Sequence, residues 1–181
     1  MKKLILTTII AIFLSSCGSS EYYFLSISST PKYIKKTSKI IGVTRVIIPE
    51  YLYKRNIYIA LSTSQIKILS SAIWAEDLDK GLTHRLISFL QKKFNSANIF
   101  TYPWGGSKNP TNVLRLEITK FISQNSIVHL EANWKIENLK TSHIKTNLFH
   151  SSIPTTNKAK DIVEKMNILM IRLEEAIALD L

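Results

Sequence analysis

Two stretches of the chain carry apolar residues at the three- and four-residue spacing of a helix that buries one side. The first covers residues 74–94, and the second covers residues 158–179. This spacing places the apolar residues along one stripe of each helix. The two stripes contain Leu78, Leu82, Leu86, Phe89, Leu90 and Phe94, then Ile162, Met166, Leu169, Met170, Leu173 and Ile177.

A second pattern, the alternation of apolar and polar residues, lies between the helices. It is clearest over residues 113–121 and 127–138, which predict two antiparallel strands joined by a turn at residues 124–126. A period of two indicates one buried face and one face in contact with water. Shorter apolar runs predict further strands over residues 39–48, 57–61, 65–69, 99–102 and 143–153, and the aromatic run 22–25 is compatible with an edge strand.

These elements predict an α/β fold, in which a mixed β-sheet carries two long amphipathic helices in a two-layer or three-layer sandwich. Each helix has one apolar stripe, and the later strands have one apolar face. Packing both helices on one face of the sheet buries all of these surfaces together. The chain has 181 residues, which suits a single domain, and we expect that domain over residues 40–181.

The N-terminal residues have the organisation of an export signal. Two lysines precede an apolar run over residues 4–14, which is shorter than the ~20 residues that a membrane-spanning helix needs. Leu14-Ser15-Ser16-Cys17 follows directly, and it resembles the lipobox of bacterial lipoproteins. This resemblance implies that residues 1–16 are a signal peptide. It also implies that Cys17 becomes the N-terminus, carries a diacylglycerol and an N-acyl chain, and begins a lipidated tether over residues 17–39.

The alternative is an ordinary signal peptide that ends near a cysteine, which the agreement of charge, run length and lipobox disfavours. The next residue bears on which membrane holds the protein. Gly18 stands there, whereas an aspartate at this place tends to retain lipoproteins in the inner membrane of well-studied Gram-negative bacteria. We therefore expect attachment to the outer membrane, with the domain facing the periplasm.

The chain is basic, with a formal net charge of +11. A solvated basic surface explains this charge, and attraction to anionic lipid headgroups or to an acidic protein partner are the functional interpretations. The lysines are scattered and the protein is exported, so we expect no nucleic-acid partner. The single cysteine lies in the lipobox, and the chain therefore forms no internal disulfide.

No pattern in the sequence supplies the residues of an active site or a metal site. Cys17 carries lipid in this interpretation, and none of the four histidines is spaced as part of a metal-ligand pair. Gly105-Gly106 lacks the lysine and the hydroxyl residue that follow a phosphate-binding loop. We therefore predict a protein that is not an enzyme, holds no metal and needs no cofactor beyond its covalent acyl chains.

Aromatic residues in predicted loops are the candidates for contact with a partner, because loop aromatics often anchor interfaces. Trp104 lies in a loop rich in proline and glycine. Tyr51, Leu52 and Tyr53 follow a Pro-Glu pair and form the second candidate group. The other two tryptophans fall at the start of the first helix and in the predicted hairpin, where we expect them to pack in the core.

Several short motifs follow one another in a recognisable order. They are Cys17, Tyr22-Tyr23-Phe24-Leu25, Ile41-Gly42-Val43, Ile48-Pro49-Glu50-Tyr51-Leu52, Trp74-Ala75-Glu76-Asp77-Leu78, Tyr102-Pro103-Trp104 and Leu130-Glu131-Ala132-Asn133-Trp134, with a helix at the C-terminus. This order resembles that of the ABC-type transport auxiliary lipoproteins of the paraquat-inducible protein C type (PqiC, YmbA-like). The resemblance covers nearly the whole chain after the signal peptide.

The resemblance implies a partner role rather than a reaction. Lipoproteins of this type work with mammalian-cell-entry (MCE) domain proteins and an ABC-type permease and ATPase, in systems thought to move phospholipids or other hydrophobic compounds between two membranes. The expected function is a non-catalytic accessory that docks the periplasmic MCE assembly at the outer membrane, and a homo-oligomer is compatible with that role. Two alternatives stay open, an accessory to outer-membrane assembly or lipopolysaccharide delivery and a periplasmic lipid-binding carrier. A hydrolase is disfavoured because a nucleophile is missing.

Overall fold

The computed structural model describes residues 20–27, 31–33, 37–103 and 109–181. Over these residues, eight strands form one mixed sheet and two helices pack on one of its faces. This arrangement confirms the predicted α/β fold and gives it two layers. The elements are β1 (Glu21–Tyr23), β2 (Ile41–Val43), a short 3-10 helix (Glu50–Leu52), β3 (Asn56–Ala60), β4 (Ile66–Trp74), α1 (Leu78–Phe94), β5 (Ile99–Thr101), β6 (Asn112–Gln124), β7 (Ile127–Asn138), β8 (Ile144–Pro154) and α2 (Ala159–Asp180).

Strand β6 organises the sheet, because three other strands pair with it. β7 pairs antiparallel along the whole of one edge, as the alternation predicted. The other edge is shared, since β2 pairs in parallel with the beginning of β6 and β3 pairs in parallel with its end. A single bridge between Ile47 and Glu117 lies between those two strands. β5 extends the sheet beyond β2, β4 and β1 extend it beyond β3, and β8 extends it beyond β7.

A β-bulge at Thr119 changes the alternation of buried residues along β6. Ile118 pairs with Ala132, whereas Lys120 pairs with Glu131, so β6 has one residue more than β7 at this point. Before the bulge, the even-numbered residues of β6 therefore face the core, and after it the odd-numbered residues do. The core-facing residues of β6 are Leu114, Leu116 and Ile118 before the bulge, then Phe121 and Ser123 after it.

The helices and the sheet enclose one hydrophobic core. Every apolar position of the two predicted helical stripes is buried in it, which confirms both amphipathic helices. Trp74 and Trp134 are buried as well, as predicted. The Trp134 indole N–H donates a hydrogen bond to Asp180 Oδ2 at 2.9 Å, so this large side chain buries its polar atom with a partner. No helix within the described residues is long and apolar enough to cross a membrane.

The predicted strand over residues 39–48 is wrong beyond Val43. β2 ends there, and the chain continues beside α1, where the Val46 backbone N–H donates to Thr83 Oγ1 at 2.9 Å. Val46 and Ile48 are buried, whereas Ile47 lies on the opposite side of the chain and is exposed. The β-branched run is therefore an extended connection along the edge of β6 rather than one continuous strand.

The first helix begins at Leu78, later than the predicted start at residue 74. β4 continues to Trp74 because its end is bonded on both sides. The Trp74 N–H donates to the Arg55 C=O at 2.6 Å, and the Ala75 N–H donates to the Tyr23 C=O at 2.7 Å. These bonds keep the chain in the sheet until the turn that precedes α1.

The folded domain begins nearer to the N-terminus than residue 40, the predicted boundary. β1 pairs in parallel with β4, and Leu25 is buried in the core. The Ser26 N–H donates to Asn167 Oδ1 at 3.0 Å, and its C=O accepts a hydrogen bond from Arg85. Residues 21–27 are therefore part of the globular fold and not of a free tether.

Candidate functional site

In the part of the chain that the structure describes, one face of the sheet carries no helix, and we call it the open face. Its side chains alternate with the core-facing ones along β6, β7 and β8. In β6 and β7 it is mostly charged or polar, with Arg115, Glu117, Lys120, Glu131, Asn133, Lys135 and Glu137.

A row of paired residues crosses the centre of the open face. It runs from Leu148 on β8 through Asn133 on β7 and Glu117 on β6 to Ile47. The Asn133 amide donates to Glu117 Oε2 at 3.1 Å. Leu148 is 84% exposed at one end, and Ile47 is 55% exposed at the other. Two aliphatic side chains therefore flank a polar centre, and we call these four residues the central row.

The sequence contained a signal for both exposed aliphatics. Leu148 is followed directly by Phe149, and Ile47 stands between Val46 and Ile48. Adjacent residues of an extended chain point to opposite sides, so a run of apolar residues cannot all reach a core on one side. Phe149 and the neighbours of Ile47 reach the core or its margin, and the remaining residue of each run is left on the open face.

The neighbouring row on the open face is charged and contains histidine. The Oε1 atom of Glu131 lies 3.8 Å from His150 Nδ1 and 4.0 Å from Lys120 Nζ. His129 follows on the same face, and burial lowers its pKa, as does the electrostatic influence of the nearby Lys120 and His150 side chains. A shallow depression of about 340 Å³ lies beside Leu148, His150 and Glu131. Polar groups thus border the exposed leucine on this side.

The structure separates the three contact residues that were predicted after Pro49. Leu52 is only 3% exposed and packs in the core, which removes it from the candidate contact surface. The 3-10 helix forms one tight turn, so its side chains point in different directions, and the Leu52 side chain is the one that points into the core. Tyr53 is exposed, and Tyr51 is half-buried.

The half-buried residue, Tyr51, completes the edge of β6. Its hydroxyl oxygen accepts a hydrogen bond from the Phe121 backbone N–H at 3.1 Å. Phe121 lies between the Ile47 bridge and the residues that pair with β3, so the tyrosine takes the place of a strand partner. Burial raises the pKa of the Tyr51 hydroxyl, which stays protonated at neutral pH. We therefore assign Tyr51 mainly to the structure of the sheet.

A groove beside Tyr51 lies where the β3–β4 hairpin meets the end of β6. Its volume is about 530 Å³, and its lining includes Tyr51, Ile66, Lys120 and Ile122. The groove is part of the open face, so apolar and basic side chains meet there.

The remaining predictions concern residues that the structure does not describe, or chemistry. Cys17 and Trp104 lie outside the described residues, and their lipidation and contact roles stay predictions. Within residues 20–27, 31–33, 37–103 and 109–181, no group of three or more His, Cys, Asp or Glu side chains is arranged to hold a metal ion. The prediction that the protein is not an enzyme likewise stays a prediction.

Two solved structures share the fold of this chain at low sequence identity. A crystal structure of an uncharacterised protein matches with a TM-score of 0.74 and 18% identity, over 90% of this chain and 99% of the other. A Xanthomonas campestris protein of the family DUF330 matches with a TM-score of 0.75 and 11% identity, over 88% of this chain and 93% of the other. A PelC dodecamer from Paraburkholderia phytofirmans matches more weakly, with a TM-score of 0.46 and 9% identity, over 81% of this chain and 94% of the other.

The sequence itself matches one family model over most of its length. No protein with a curated description matches the chain. The model of the ABC-type transport auxiliary lipoprotein component matches residues 23–178, which include every strand from β2 to β8, all of α1 and all but the last two residues of α2. The match confirms the resemblance that the ordered motifs indicated, and the chain belongs to the family of ABC-type transport auxiliary lipoprotein components.

Proposed function

We propose that this protein is a non-catalytic lipoprotein that docks the MCE-domain protein of an ABC-type transport system at the outer membrane. Membership of the auxiliary lipoprotein family is the observation that carries this proposal. In the proposed arrangement, acyl chains on Cys17 hold the domain to the membrane, and the open face of the sheet receives the partner. The cargo of such a system is a phospholipid or another hydrophobic compound, which the domain itself does not need to bind.

The central row has the composition of an interface centre. Protein interfaces combine a few apolar anchors with a polar surround, and the anchors supply most of the binding energy. Leu148 and Ile47 are the apolar anchors here, and the Asn133–Glu117 hydrogen bond fixes the polar side chains between them. Tyr53 is exposed and stays a separate candidate for contact, as does Trp104.

The outer strand of the sheet offers a second means of contact. In the described residues β8 pairs with β7 alone, so its other edge presents backbone N–H and C=O groups. A partner strand can pair with such an edge while its side chains meet those of the open face. Leu148 lies near the middle of this strand, so a partner strand that pairs with the edge of β8 would also contact the Leu148 side chain.

The test is capture of the partner by the lipidated full-length chain in its own host. We expect affinity purification from detergent-solubilised membranes to recover an MCE-domain protein together with a permease and an ATPase. Replacing both anchors, Leu148→Ser with Ile47→Ser, should lower recovery at least about tenfold, the effect of a loss of about 1.4 kcal/mol in binding. Leu179→Ser is the matched control, because Leu179 is 78% exposed and lies on α2, away from the open face.

Three outcomes would contradict the proposal in different ways. Capture of the MCE-domain protein that is unchanged by the double substitution would exclude the central row as the contact. Recovery of an outer-membrane β-barrel in place of an MCE-domain protein would favour the assembly or lipopolysaccharide-delivery alternative. A molar equivalent of lipid extracted from the purified chain would favour the carrier alternative.

A further inference from the structure

The β3–β4 hairpin exposes an apolar surface that the central row does not include. Leu61 lies at the tip of the hairpin, and Ile66 and Ile68 lie on β4, with each of the three about half-exposed. Ile66 pairs with Ala60 and Ile68 pairs with Tyr58, so the two isoleucines lie on the same side of the hairpin. We call Leu61, Ile66 and Ile68 the hairpin patch.

The N-terminal strand enters the fold from the direction of this patch. β1 pairs in parallel with β4, and Glu21 lies opposite Ala72. β4 starts at the tip of the hairpin, with Ile66, and runs away from it. Because the two strands are parallel, the beginning of β1 is the end that lies nearer the tip. The chain that connects β1 to Cys17 therefore starts on the side of the hairpin patch.

The length of that connection matches the length of the hairpin. Glu21 follows Cys17 by four residue steps, which allow at most about 14 Å of extended chain. The hairpin extends over the five residues of β3, from the pair Asn56–Ile73 to the pair Ala60–Ile66, which is about 13 Å. A lipid held on Cys17 therefore lies within about 14 Å of the start of β1, a reach that is sufficient to bring it alongside the hairpin patch.

Basic residues lie at the same end of the sheet as the hairpin patch. Lys67 is exposed between the two isoleucines in the sequence, and Lys158 and Lys160 are exposed at the start of α2. The start of α2 lies beside the β6–β7 turn, because the Thr155 N–H donates to the Ser126 C=O at 2.8 Å. Half-exposed aliphatic side chains with lysines beside them suit the interfacial region of an anionic bilayer.

We propose that the hairpin patch rests in the interfacial layer of the same bilayer that holds the acyl chains of Cys17. This inference depends on the lipid anchor of the proposed function and adds an orientation to it. The hairpin end of the sheet faces the membrane, and the β7–β8 turn faces away from it. The open face then stands upright on the membrane surface, where a partner can reach the central row from the aqueous side.

The lipidated full-length chain, reconstituted in vesicles of phosphatidylethanolamine with a minor share of phosphatidylglycerol, allows a direct test. The thiol of Cys17 is used by the lipid and the chain has no other cysteine, so an introduced cysteine is the only labelling site. Thr63→Cys places a fluorophore at the hairpin tip. Thr141→Cys is the matched control, because Thr141 is an exposed threonine between β7 and β8 at the opposite end of the sheet. We expect a spin-labelled lipid to quench the fluorophore at position 63 and not at position 141.

Substitution of the patch should separate its role from that of the anchor. Ile66→Ser with Ile68→Ser is expected to lower the quenching at position 63 to the level of the Thr141 control, while the chain still floats with the vesicles. Equal quenching at the two positions, quenching at position 141 alone or none at either would overturn the orientation and leave the docking function intact. A chain that fails to float would overturn the anchor and both proposals with it.

Discussion

Arg85 and Glu174 form a buried bidentate ion pair that joins the two helices. Arg85 Nε donates to Glu174 Oε1 at 2.8 Å, and Nη2 donates to Oε2 at 3.1 Å. Nη1 donates to Asn167 Oδ1 at 2.6 Å and also to the Ser26 C=O. The guanidinium group thus connects α1, α2 and the segment that follows β1. It holds the segment that follows β1 against both helices.

Removal of the arginine should be strongly destabilising. Burial raises the pKa of Glu174, and the Arg85 charge opposes this effect, so Arg85→Met leaves a buried carboxylate without its partner. We expect the free energy of unfolding to fall by about 3–5 kcal/mol, measured by urea denaturation. The double substitution Arg85→Met with Glu174→Leu should lose less than Arg85→Met alone, because it leaves no unpaired charge.

The matched control for this pair is Arg172→Met. Arg172 lies on the same helix as Glu174 but is exposed, and we expect a change within about 0.5 kcal/mol. An Arg85→Met variant as stable as this control would show that the buried pair does not hold the helices together.

The elements that could be predicted from the sequence are those whose pattern is set by local periodicity. The apolar stripes that contain Leu82 and Leu169 specify both helices, because a helix brings residues at a spacing of three and four onto one face, where they can be buried together. The β6–β7 hairpin follows in the same way from its alternation and from the short turn between its strands. The two strands of the hairpin are adjacent in the chain, and each helix packs against the common core.

The elements that could not be predicted depend on partners distant in the sequence. The division of one edge of β6 between β2 and β3 leaves a gap, which Ile47 and Tyr51 fill. Nothing local distinguishes Leu52 from its neighbours, since the direction of each side chain depends on how the 3-10 helix meets the sheet. The parallel pairing of β1 with β4 likewise carries no local signal, because its three residues have no turn to a partner.

The opposite placement of Leu52 and Tyr53 predicts opposite consequences of truncation. Leu52→Ala removes a buried side chain from the core and should lower the free energy of unfolding by about 2–5 kcal/mol. Tyr53→Ala removes an exposed side chain and should change it by less than about 0.5 kcal/mol. Urea denaturation of the two variants measures both values. Equal losses would contradict the inward orientation of Leu52.

A pH dependence of stability should arise at the start of α2. The Asp161 carboxylate accepts hydrogen bonds from the Thr156 N–H at 2.6 Å and from the Thr155 hydroxyl at 2.8 Å, and these bonds lower its pKa to about 2. A carboxyl group whose pKa is lower in the folded state stabilises the fold above its ordinary pKa of 3.8. This contribution is lost as the pH falls from about 4 to about 2.

The variant Asp161→Asn isolates this effect, because it removes the titrating group and keeps the size of the side chain. We expect the wild type to melt at a higher temperature than the variant at pH 5, and the difference to shrink steadily toward pH 2. Thermal unfolding followed by circular dichroism gives both curves. A difference between the curves that stays constant over this range would show that Asp161 is not hydrogen-bonded as the structure has it.

Substitution of the lipobox cysteine should release the domain from the membrane without unfolding it. Cys17→Ser removes the thiol that receives the diacylglyceryl group, and each methylene of an acyl chain contributes about 0.8 kcal/mol to membrane binding. The substitution precedes β1, which begins at Glu21, and it removes no contact of the described fold. Metabolic labelling with palmitate should mark the wild type and not the variant, and fractionation should move the variant away from the outer membrane. Ser15→Ala is the control, because it keeps a small residue in the lipobox, and it should be labelled and located like the wild type. A Cys17→Ser variant that still carries label or stays in the membrane fraction would contradict the lipid anchor.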